Sequence, residues 1–145
     1  MIAFLKGRLA GKTAAAAFID VNGVGYAVGM SQASLSKLPE AGASVEVHTY
    51  LQVRDDAIAL YGFMTVEEKA LFERLIGVGG VGPKVALAAL SVFTPQALVA
   101  AIAAQDVAAV SKIPGVGKKT ASRIILELKD KLAKGQIAPG GESYG

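Results

Sequence analysis

The chain has 145 residues, 52% of them hydrophobic, no cysteine, and 15 basic residues against 12 acidic ones, for a formal net charge of +3. This composition excludes a disordered chain and leaves one or two small domains with a real core. Without cysteine there is no disulfide framework, thiolate metal site or cysteine nucleophile, and Lys6 and Arg8 stand where a secretion signal needs its apolar run.

Residues 1–63 read as strands. Ile2–Ala10 and Ala14–Val21 are separated by Gly11-Lys12, and Asn22-Gly23 turns the chain into Val24–Met30, because Asn-Gly supplies the positive φ angles of a tight hairpin. Ser31–Leu38 lacks strand alternation and, closed by Pro39, predicts a short helical turn. Val45–Val53 and Ala57–Phe63 follow as strands joined at Arg54-Asp55-Asp56. Three strands, a short helical segment and two more strands is the order of an OB-type β-barrel, with an SH3-like or other small barrel as the alternative.

The pattern changes at Met64. Thr65 and Glu68 have capping-box spacing, and Leu71, Phe72 and Leu75 recur on one helical face to about Ile76. Further helices are expected over Lys84–Ser91 after Pro83, over Pro95–Ala104 after Thr94, from Asp106 through Ser111, and over Lys118–Lys134. Val85–Gln105 imitates a membrane span, with 21 residues free of charge. Ser91 and Thr94-Pro95-Gln96 break it, so two buried alanine-rich helices of a soluble protein, with no membrane partner, are expected. Residues 135–145, with four glycines and one proline, read as a linker or frayed end.

The helical region contains one motif written twice. Residues 75–90, LIGVGGVGPKVALAAL, and 110–125, VSKIPGVGKKTASRII, superpose at an offset of 35: Gly80 on Gly115, Val81 on Val116, Gly82 on Gly117 and Lys84 on Lys119. Each copy is a Gly-Val-Gly turn opening a helix with lysine in its first turn. A helix start presents unpaired N–H groups and the positive end of its dipole, and glycine lets a bulky anion approach them. Residues 64–134 also hold ten basic and six acidic residues, a balance of +4, whereas residues 1–63 hold five of each. Lys112, Lys118, Lys119 and Arg123 fall in a stretch with no acid. A basic patch beside paired glycine turns points to a polyanion partner, gripped by its backbone without regard to sequence.

Other chemistries fit worse. Gly77-Val78-Gly79-Gly80-Val81-Gly82 matches G-x-G-x-x-G, but a capped helix precedes it and no acid follows until Asp106, against the dinucleotide fingerprint. A P-loop needs glycine, lysine and then serine or threonine, but Gly82 is followed by Pro83 and Gly117 by two lysines. His48, the sole histidine, lies in an alternating strand, and no metal-ligand spacing is visible, so no catalytic group, metal or cofactor is assigned. A single-strand binder led by the barrel would need aromatic platforms, for which only Tyr26, Tyr50, Tyr61 and Phe63 are candidates, with several of them expected in the core. Asp55-Asp56, taken on composition, is a polar turn.

GVGPK at 80–84, PGVGKKTA at 114–121, VRDD at 53–56 and LYGF at 60–63, in this order, resemble the RuvA family, the Holliday-junction-binding subunits of the bacterial branch-migration machine. The resemblance covers residues 1–134 and implies an α+β multidomain chain: an OB-fold barrel over 1–63, a tandem helix–hairpin–helix domain over 64–134 and a tail over 135–145. It implies a cytoplasmic, non-catalytic subunit that holds a four-way junction open and square as a homotetramer, singly or paired as an octamer. Its setting would be recombination, DNA repair and the SOS response, beside a RuvB-type motor and a RuvC-type resolvase. Gly80, Gly82, Lys84, Gly115, Gly117, Lys118, Lys119, Arg123 and Arg54 would contact DNA. Asp55 and Asp56 would form the acidic pin, whose negative charge repels phosphates from the crossover; the family's usual pair is glutamate then aspartate. The family's small third domain, which engages the motor, has no counterpart in residues 1–145.

Overall fold

The computed structural model describes residues 1–133, so Lys134 and the tail expectation lie outside the described residues. The described residues divide into two compact units, Met1–Lys69 and residues 70–133.

The first unit contains β1 (Phe4–Lys12), β2 (Ala16–Val21), β3 (Val24–Gly29), α1 (Gln32–Ser36), β4 (Ser44–Val53) and β5 (Ile58–Phe63). The strands close a barrel in the order β1-β2-β3-β5-β4. Neighbours pair antiparallel, except β3 and β5, which run parallel with Gly29 opposite Tyr61. This OB-like order is the one expected, and alternation explains it: Leu5, Leu9, Ala17, Ile19, Val28, Val45 and Val47 point inward and form the core.

The local signals act at short range, with the Asn-Gly turn, the short helix and the Thr65 cap as expected. Asn22 and Gly23 both take positive φ, +52° and +93°, in the two-residue turn between β2 and β3. Ser31 caps α1 by accepting from Ser34 N at 3.1 Å. Thr65 Oγ1 accepts from Glu68 N at 3.1 Å at the start of α2 (Val66–Ile76). The Glu68 carboxylate, expected to close that capping box, accepts from Ser34 Oγ at 2.9 Å, in a buried contact that ties the first turn of α2 to α1.

Gly11-Lys12 does not separate the first two strands. The register shifts between Leu9 and Gly11, a bulge that lets β1 continue through Lys12. The reversal falls at Thr13, whose Oγ1 accepts from Ala15 N and Ala16 N at 3.3 and 3.1 Å.

The second unit is helical: the rest of α2, then α3 (Pro83–Val92), α4 (Pro95–Ala103), α5 (Val107–Val110) and α6 (Lys118–Ala133). Thr94 Oγ1 and Asp106 Oδ1 cap α4 and α5, accepting from Ala97 N and Ala109 N at 3.1 Å each. No single helix among the described residues is long and apolar enough to cross a membrane; the uncharged stretch is split between α3 and α4, which meet at 98°. Ala86, Ala89, Leu90, Leu98 and Ile102 on those helices are buried, which accounts for the apolar run.

Candidate nucleic-acid interface

The two copies of the repeated motif fold alike, hydrogen bond for hydrogen bond. After α2, Gly77 N donates to Arg74 O and Val78 N to Leu75 O; after α5, Lys112 N donates to Ala109 O and Ile113 N to Val110 O. Val81 N then closes a four-residue turn on Val78 O at 3.1 Å, and Val116 N closes its counterpart on Ile113 O at 3.0 Å. Gly80 and Gly115, third in each turn, have φ of +87° in both copies, while Gly79 is not among the positive-φ residues. Positive φ at the third position alone defines a type II turn, and Pro114 at the second position of the other copy is the residue that turn favours. Only glycine adopts this conformation without strain at position three.

Each turn is anchored from below and open above. Val78, Val81, Ile113 and Val116 are buried, as are Ala86 and Ala121 one turn into the helices. Gly80, Lys84, Gly115, Gly117, Lys118 and Lys119 are exposed, and Gly82 is half-buried. Ala86 N returns to Gly82 O at 3.0 Å and Ala121 N to Gly117 O at 2.9 Å, so both helices begin at the second motif glycine. The N–H groups of the turn before those bonds have no carbonyl within the helix to meet. Valine fixes the turn, glycine bares its backbone, and lysine adds a cation at the rim. Chemically, such a surface is suited to an oxyanion such as a phosphate.

The copies also embrace each other. A Cβ placed on Gly115 would stand 3.2 Å from Val85 Cγ2, and one on Gly80 would stand 3.9 Å from Thr120 Oγ1. Val85 and Thr120 are themselves equivalent at the offset of 35, so the pairing is a pseudo-twofold one.

With this twinned geometry in place, the comparisons with known proteins fall on both units. The family model described as "RuvA N terminal domain" matches residues 1–62, and that described as "SAM-like Helix-hairpin-helix tandem" matches residues 72–130. The chain is 50% identical to the Holliday junction branch migration complex subunit RuvA of Acidobacterium capsulatum, over 97% of this chain and 75% of that protein. The chain belongs to the RuvA family. It is likewise 51% identical to the RuvA subunit of Symbiobacterium thermophilum, over 97% of this chain and 68% of that one. The RuvA subunit of Pseudomonas syringae is 48% identical, over 97% and 69%.

Within the RuvA-type chain, the candidate residues fall into separate sets. Lys84 stands beside the first turn, and Lys118 and Lys119 beside the second. Arg123 lies further along α6, where its Nε donates to Glu127 Oε2 at 2.7 Å. Arg54, Asp55 and Asp56 belong to the barrel unit, on the exposed tip between β4 and β5 that Arg54 N closes on Ala57 O at 2.8 Å.

The four aromatic candidates on the barrel fall largely inside it, as expected of several of them. Phe63 is fully buried and Tyr26, Tyr50 and Tyr61 are half-buried, whereas Phe4 and Phe18 are exposed. Strand parity carried that signal: Leu5 and Leu9 face inward and turn Phe4 out, and Ala17 and Ile19 do the same for Phe18.

Proposed function

We infer that this chain binds four-way Holliday junctions through the DNA backbone, without reading sequence, as a non-catalytic subunit of a branch-migration complex. The observation that carries this is the pair of superposable type II turns, each leading into a helix start with an exposed lysine. Two phosphate grips held by a pseudo-twofold fit one duplex arm on either side of a groove. The naming of the relatives as Holliday junction branch migration complex subunits supports the same reading.

The hairpins hold any duplex, so discrimination has to arise elsewhere. We assign it to assembly of four copies, singly or as two facing tetramers, and to the acidic tip at Asp55 and Asp56. Eight carboxylates gathered at the crossover would repel phosphates there and keep strands apart while bases exchange partners. Arg54 beside them would pair with the nearest phosphates. An ATP-driven RuvB-type motor and a RuvC-type resolvase are the expected partners, in the cytoplasm.

A gel-shift comparison of a four-way junction with linear duplex of equal length, at moderate salt, tests this. Tighter retention of the junction is expected, and equal affinity would remove the junction claim while leaving DNA binding. Preference for single strands would favour the barrel as the binding surface. Against that reading, Phe4 pairs with His48 while Phe18 pairs with Gly11, seven positions further along β1. The two exposed rings thus stem from backbone positions well separated along the strand, which argues against a shared stacking platform.

A further inference from the structure

The two phosphate grips are not equal in charge. At the offset of 35, Lys119 is matched by Lys84, but Lys118 is matched by Pro83, which is buried and uncharged. The second turn therefore has two cations at its helix start and the first has one. Arg123 makes up the difference. A Cβ built on Gly79 would meet Arg123 Cζ at 2.5 Å, Nη2 at 2.5 Å and Nη1 at 2.8 Å, and these are its three nearest atoms. Near-equal distances to all three place the guanidinium flat across the site a Gly79 side chain would enter, in the first copy's turn. Its Nε is held by Glu127 Oε2 at 2.7 Å, while the side chain remains 58% exposed.

The same contact explains the residue at position 79. Gly79 does not have positive φ, so its backbone does not demand glycine, and the equivalent place in the second turn is Pro114. The space a side chain would fill at Gly79 is taken by the guanidinium.

We propose that Arg123, carried on the second copy's helix, serves as the second cation of the first hairpin's phosphate site, with Gly79 as its seat and Glu127 as the group that orients it. The assignment rests on the DNA-backbone reading above. Arg123 thus crosses the pseudo-twofold, and each grip has a pair of cations: Lys84 with Arg123, and Lys118 with Lys119. Gly79 and Glu127 are positioning residues that act through Arg123. A planar, permanently charged fork held on a glycine loses little freedom when a phosphate arrives.

The test is ethylation interference on a four-way junction bound by the full chain, together with binding measured across a salt series. Arg123→Ala is expected to weaken binding about tenfold and to lower the salt slope by about one counterion. The phosphates it releases should be those released by Lys84→Ala, not those released by Lys118→Ala or Lys119→Ala. Gly79→Ala should reproduce Arg123→Ala, because the added methyl displaces only the end of a flexible side chain. In an Arg123→Ala background it should do nothing more. Arg123→Lys, which keeps the charge but cannot lie flat, should recover binding only in part. Loss of the second hairpin's phosphates in Arg123→Ala would overturn the assignment, as would an equal effect of Gly79→Ala in both backgrounds. Wild-type chain that binds no DNA would sink this proposal together with the reading it rests on, whereas normal wild-type binding with Arg123 mapped to the second hairpin sinks the proposal alone.

Discussion

Gly115 rests on Val85: a Cβ at the glycine would stand 3.2 Å from Val85 Cγ2, tighter than the 3.9 Å that separates the same point on Gly80 from Thr120 Oγ1. The two contacts are one relationship seen from both sides of a pseudo-twofold. They make each turn a part of the other copy's environment, so the hairpins are held at a set separation by packing as well as by chain connection. Under the proposed grip on two backbone positions, that separation is a functional quantity.

Alanine at the two positive-φ glycines should therefore act unequally. Each substitution forces an L-residue into the left-handed region, at about 1–2 kcal/mol. Gly115→Ala also crowds Val85, and overpacking adds about 1 kcal/mol or more. Thermal unfolding should show both variants destabilised and Gly115→Ala the more so. A larger loss in Gly80→Ala would contradict the geometry.

Lys119→Ala should flatten the salt dependence of DNA binding by about 0.9 in the slope of log affinity against log salt, the signature of one fewer neutralised phosphate. Lys131 is also exposed on α6 but lies in its last turn, and Lys131→Ala is the matched control, with no change expected. Equal effects from both would mean that general charge, not the grip, governs binding.

Asp55→Asn combined with Asp56→Asn should keep or tighten junction binding, since it removes two negative charges proposed to face phosphate, while altering strand separation at the crossover. Both residues sit on an exposed tip, and the backbone bond from Arg54 N to Ala57 O that closes it does not involve their side chains. Permanganate reactivity of thymines at the crossover would report the separation. Collapse of binding would show that the aspartates are needed structurally.

Ser34→Ala should destabilise the first unit. Ser34 Oγ donates to the buried Glu68 carboxyl at 2.9 Å, and removing that donor leaves a buried acceptor short of a partner. A loss of about 1–3 kcal/mol is expected in denaturant unfolding, with DNA binding by the helical unit unchanged. No measurable loss would mean that other groups satisfy Glu68.

Much of the fold was legible because its signals are local. Asn22-Gly23 turns the chain through its positive φ, and Thr65, Thr94 and Asp106 each start an element through a bond three residues along. The bulge that carries β1 past Gly11 was not legible, because it depends on which residue of β2 lies opposite. The outward turn of Phe4 and Phe18 is written in strand parity, a signal that aromatic residue type alone does not carry.

The candidate site divides along the same line. By itself the sequence determined the doubled Gly-Val-Gly turn, its lysines, the valines beneath it and the family, since each is a pattern of residue type at fixed spacing. Tertiary structure alone decided that Glu68 turns to Ser34, that Val85 backs Gly115, and that Arg123 lies over Gly79 and not over its own helix start. Those pairs join residues 30 or more positions apart, and spacing along a chain carries no information about which distant side chain fills a given gap. Packing density settles that only once the chain has closed.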